Sequence, residues 1–75
     1  MSTFEKVQGA ICSELGLEPG DVTPKSSLTD LGVDSMDRAS LVLALEEVLE
    51  IEIPDDEARK FVNVSQIVKY ADSRS

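Results

Sequence analysis

Seventy-five residues carrying a formal charge of −8, 41% apolar residues and no histidine describe one small acidic domain. The acidity excludes nucleic acid as a partner, because its phosphate backbone would be repelled, and it disfavours anionic membrane surfaces. The absence of histidine excludes His-based acid–base catalysis and His-based metal ligation.

The aromatic residues are Phe4, Phe61 and Tyr70, and there is no Trp, so the core must be built mainly from Leu, Ile and Val. The single Cys12 has no partner for an internal disulfide, which fits a reducing compartment. No run approaches the roughly 18 apolar residues of a membrane span, and the N-terminus lacks the basic-then-apolar order of a signal peptide. A soluble, monomeric, cytoplasmic protein forming one domain over residues 1–75 is expected. The charge is uneven: Asp30 to Glu57 holds ten acids and one base, Arg38, and the remainder is nearly balanced. Such a concentrated acidic surface speeds encounter with basic partners.

In chain order, Thr3 to Leu15 reads as a first helix. Ser2 and Glu5 form an S-x-x-E capping box, and Phe4, Val7, Ile11 and Leu15 recur at helical spacing. Gly16 is placed to end it, and Glu18-Pro19-Gly20-Asp21 reads as a turn. A long loop from Val22 to Gly32 follows, with Val22, Leu28 and Leu31 as its expected apolar pins. The second helix spans about Ser35 to Leu49. Ile51 and Ile53 alternate with acids but have no second strand to pair with, so they are expected to tuck an extended connection into the core. Pro54-Asp55-Asp56-Glu57 opens a short third helix ending near Phe61, with acids in its first turn and Arg59 and Lys60 near its last. Asn63 and Gln66 cap a fourth helix carrying Val64, Ile67, Val68 and Ala71, and the tail from Asp72 to Ser75 is expected to fray. The fold class is therefore all-α: a four-helix bundle with a long loop between helices 1 and 2 and a short third helix.

The second helix has two apolar sides. With Met36 at 0° and about 100° per residue, Leu41, Val42, Leu45, Val48 and Leu49 fall between about 120° and 240°, which is the core stripe. Met36 and Leu43 fall near 0° and 340° on the opposite side, beside Glu46, Glu47 and Glu50. An apolar centre with a charged rim suits a transient protein interface.

Ser35 stands where the Leu31-Gly32-Val33-Asp34 loop becomes that helix. Two readings are open. Ser35 or Asp34 is the helix cap; or Asp34 and Asp37 cap the helix as a D-x-x-D box and leave the Ser35 hydroxyl free for modification at the positive end of the helix dipole, where phosphate is favoured.

The run L-G-V-D-S-M-D-R-A-S-L-V-L-A-L-E-E resembles the recognition helix of bacterial and plastid type II acyl carrier proteins. I-E-I-P-D-D-E-A-R-K resembles that family's loop and third helix, and V-S-Q-I-V-K-Y its last helix. The resemblance covers nearly the whole chain. It implies a carrier that is not itself an enzyme, with a covalent 4'-phosphopantetheine on Ser35 holding acyl chains as thioesters. Asp34 and Asp37 would position a phosphopantetheinyl transferase (holo-acyl-carrier-protein synthase), and Met36, Leu43, Glu46 and Glu47 would dock acyl transferases, ketosynthases and related enzymes. The interior between the helices would shelter the acyl chain. Two residues depart from the family pattern: Arg38, where a small polar residue is usual, and Ser40, where glutamate is usual. Arg38 falls near 200° on the wheel, so its guanidinium is expected to snorkel outward and, with Ser40, to make the docking face less negative. That points to a specialised partner set. The competing reading is an unmodified acidic helical interaction module.

Other chemistries fit less well. Asp30, Asp34 and Asp37 do not have the spacing of a calcium loop, and serine hydrolysis lacks its base. Cys12 has no basic neighbour in sequence to activate it. With the acids concentrated between Asp30 and Glu57, added salt or divalent cations should raise the melting temperature by screening self-repulsion, as followed by circular dichroism.

Overall fold

A computed structural model describes residues 2–74. Its α-helices are α1 (Thr3–Leu15), α2 (Ser35–Leu49), α3 (Asp55–Ala58) and α4 (Val64–Arg74), and a 3-10 turn spans Pro19–Asp21. No strand occurs among the described residues. The all-α bundle, the long α1–α2 loop and the short third helix agree with the expectation from sequence.

α1 starts where its capping box predicts. The Glu5 backbone N–H donates to Ser2 Oγ and the Ser2 backbone N–H donates to Glu5 Oε1. Those bonds favour the charged carboxylate and hold Glu5 below the usual carboxylate range. At the other end Gly16 takes a left-handed conformation, with φ 68°, which costs glycine little, and donates back to the Cys12 carbonyl. α2 ends without a glycine. Glu50 itself turns left-handed, at φ 56°, before Ile53 enters the core.

α1 packs against α2 and α4. Val7 and Ile11 from α1, Leu41 and Leu45 from α2, and Val64 and Ile67 from α4 are almost fully buried between them. Val22 and Leu28 bury as the loop pins, joined by Val33, while Leu31 is half-buried. The loop is also tied by its backbone. Leu28 N–H donates to the Val62 carbonyl (2.9 Å), and Val64 and Ser65 N–H donate to the Ser26 and Pro24 carbonyls (3.0 and 2.9 Å). A single antiparallel bridge joins Ser27 and Asn63. Gln8 Nε2 fastens the same loop to α1 through the carbonyls of Pro19 (2.8 Å) and Val22 (3.2 Å).

Three expectations are corrected. α3 stops at Ala58, so Arg59 and Lys60 lie just beyond it; Lys60 reaches back to Glu57 across the surface. Val48 is 40% exposed rather than core, because the burial of the α2 stripe centres on Leu41 and Leu45. α4 continues through Arg74 instead of fraying at Asp72; Arg74 sits 4.8 Å over the Tyr70 ring and Thr3 Oγ1 donates to Asp72. Ser75 lies outside the described residues.

A chain of this length has about 4–11 kcal/mol of total stability. Replacing the fully buried Leu45 by alanine should cost about 2–5 kcal/mol, whereas Met36→Ala on the exposed side should stay within about 0.5 kcal/mol; urea unfolding measures both.

Candidate functional site

The first turn of a helix has backbone N–H groups with no intrahelical partner, and something must satisfy them. At the start of α2 two aspartates do so. Asp37 N–H donates to Asp34 Oδ1 (2.8 Å), and Asp34 N–H donates to Asp37 Oδ2 (3.4 Å). Asp34 is the cap and Ser35 is the first helical residue, not the cap. Ser35 is exposed, and no described residue forms a hydrogen bond with its hydroxyl. A nucleophilic oxygen is thereby displayed at the positive end of a 15-residue helix.

Ser35 also lies on the rim of a surface groove of about 880 Å³ between α2 and the α3 segment. Ala39, Val42 and Leu43 line one wall, and Ile53 and Ala58, with the charged Asp55 and Arg59, line the other. Arg38 and Glu46 line it as well. The order of residues places Ile53 in the core but does not mark this groove, because its second wall depends on where the chain folds back after α2.

The outer side of α2 is as the wheel predicts. Met36 is 81% exposed and Leu43 67% exposed, with Ser40 and Glu47 also at the surface. Glu46 is half-buried: its Oε2 accepts the Ile53 backbone N–H (2.9 Å), so it ties the α2–α3 connection in place. Arg38 does not snorkel outward. Its Nη1 donates to the carbonyls of Ala58 (3.0 Å), the last residue of α3, and Phe61 (2.9 Å), in the turn that follows it; a cation favours carbonyls gathered at a helix C-terminus. Of the two departures, only Ser40 therefore bears directly on the outer surface. Val62, 60% exposed beyond α3, is a further apolar surface residue that the helical periodicity did not mark.

A profile of the phosphopantetheine attachment site matches residues 5–71. Acyl carrier proteins from two strains of Helicobacter pylori are 46% and 45% identical to the chain over 71 residues, covering 93% of it and 91% of each relative. The chain belongs to the acyl carrier protein family. It is a carrier, not an enzyme, and its cofactor is a covalently bound 4'-phosphopantetheine. The exposed, unbonded Ser35 hydroxyl, beside a groove that offers both apolar and polar lining, fits such a group. Among the described residues, no helix is long and apolar enough to cross a membrane.

Cys12 is the chain's own thiol, half-buried on α1. Burial pushes its pKa up, and the charges of Asp21 and Glu18 add to the effect. The thiolate is the reactive form, so iodoacetamide should label Cys12 more slowly than a free cysteine peptide at pH 8. The rate should go on rising past pH 9.0, the ordinary thiol value at which a free cysteine begins to level off, as intact-mass kinetics would follow.

Proposed function

We propose that Ser35 is the attachment point of the arm and that the chain shuttles acyl thioesters between the enzymes of fatty-acid or related acyl synthesis. One observation carries this reading: Asp34 and Asp37 cap α2 between themselves, leaving the Ser35 hydroxyl with no structural duty. An unmodified interaction module using Ser35 as its cap does not fit that arrangement.

In the priming step Ser35 Oγ attacks the phosphorus of coenzyme A nearer the pantetheine. The Oγ–P bond forms, the bond to the nucleotide phosphate breaks, and the nucleotide half leaves. The chain has no histidine, so a base on the transferase accepts the hydroxyl proton. The α2 N-terminus favours the phosphodiester that results. Asp34 and Asp37 contribute by fixing the helix start and presenting acidic groups to the transferase. When bound, the arm supplies a terminal thiol that holds the acyl group as a thioester. The tether keeps that group at high effective concentration near each enzyme.

Met36, Ser40, Leu43 and Glu47 form the surface that meets acyl transferases and ketosynthases with basic docking faces. Glu46 and Arg38 contribute from the groove side of the same helix. Ser40 removes a negative charge that family members usually present there, which favours a specialised partner set. The protein works as a monomer in the cytoplasm, where coenzyme A and these enzymes are available. The apolar residues of the groove, Ala39, Val42, Leu43, Ile53 and Ala58, shelter the acyl chain.

Incubation with coenzyme A and a broadly specific phosphopantetheinyl transferase should add the mass of one phosphopantetheine. The gain should be absent in Ser35→Ala and retained in Cys12→Ala. An unchanged mass for the native chain overturns the assignment.

A further inference from the structure

The α3 segment is weakly made. Four residues cannot form a stable helix alone, and Ala58 is the one residue of α3 that is buried. Two polar ties from α2 bracket it. Before α3, Glu46 accepts the Ile53 N–H; after it, the Arg38 guanidinium binds the carbonyls of Ala58 and Phe61. Arg38 and Glu46 are eight residues apart, about 12 Å along the helix, and both line the groove. Between these ties the α2 wall is apolar, with Ala39, Val42 and Leu43, and the α3 wall sets Ile53 and Ala58 among the charged Asp55 and Arg59.

We propose that Arg38 is a latch that holds α3 against α2 and thereby limits which acyl groups the groove takes; this rests on the carrier function above. The chemistry suits the role. One Nη1 carries two N–H groups, and each meets a carbonyl at 2.9–3.0 Å, with the positive charge strengthening both bonds. A lysine could supply the charge but not the fixed planar fork. With the latch closed, the far wall of the groove cannot move away from α2 without stranding the Phe61 carbonyl and a half-buried cation. Short acyl groups fit the resting groove. Acyl groups that press between the two walls push α3 away from α2, the more so the longer they are, and Arg38 opposes that movement. Arg38 is a positioning residue: it sets the width of the groove without acting on the thioester.

The test uses the full chain, first unloaded and then loaded with acyl groups of increasing length, as native protein, Arg38→Met and Arg38→Lys. Methionine keeps an apolar stem and loses both donors. In unloaded Arg38→Met, amide hydrogen exchange should accelerate by about tenfold at Arg59 to Phe61, with α1 amides unchanged. Unchanged exchange at Arg59 to Phe61, or equal acceleration throughout the chain, overturns the latch. In the loaded forms, the acyl length giving the largest rise in melting temperature should move to longer chains in Arg38→Met, with Arg38→Lys between the two. If the native protein shows a length optimum that Arg38→Met leaves unmoved, the latch does not set selectivity. If acyl loading leaves the native melting temperature unchanged at every length, the groove does not shelter the chain. The proposed control of cargo then fails with that reading, while the exchange result still decides whether Arg38 holds α3.

Discussion

The reciprocal bonds between Asp34 and Asp37 settle where α2 begins, and most of the functional surface follows from that start. With the orphan N–H groups of the first turn met by two carboxylates, the serine between them is released from capping. The same pair sets the phase of the helix as it leaves the loop. Leu41 and Leu45 then turn into the bundle, Met36 and Leu43 turn out, and Arg38 meets the end of α3. If Ser35 were the cap, its hydroxyl would be occupied by the backbone.

Stability and carrier function make different demands on the rest of the chain. The bundle of α1, α2 and α4, with Val22 and Leu28 from the α1–α2 loop, holds the fully buried side chains. The α3 segment adds little to that core, which leaves a groove along α2 open to solvent. Polar ties compensate for the thin packing: Glu46 on the approach to α3, Arg38 at its exit, and Tyr70, whose hydroxyl donates to the Glu52 carbonyl (3.3 Å) while its ring meets Phe61 edge-on at 5.7 Å. Such an arrangement permits local opening beside Ser35 without unfolding the bundle.

Much of this was readable in the order of residues because the causes are local. A capping box needs two residues three apart, and both Ser2–Glu5 and Asp34–Asp37 form as their spacing predicts. The Asn63–Gln66 pair at the start of α4 does the same, with Gln66 N–H donating to Asn63 Oδ1 and Asn63 N–H donating to Gln66 Oε1. Helical periodicity correctly separates the buried Leu41 and Leu45 from the exposed Met36 and Leu43. It fails at Val48, because an angle on a wheel does not say how far along the helix the neighbouring helices reach.

Residue order alone therefore establishes the helices, the acidic face, the paired aspartates around the serine and the family, since each rests on contacts within a few residues or on motifs carried by continuous segments. The groove, the inward Glu46 and the Arg38 latch belong to the folded molecule. They join residues 7 to 23 positions apart, and their partners are backbone groups, which every residue carries and no pattern of side chains marks. A wheel could place Arg38 towards the interior. Only the approach of the α3 carbonyls could show what its charge would find there.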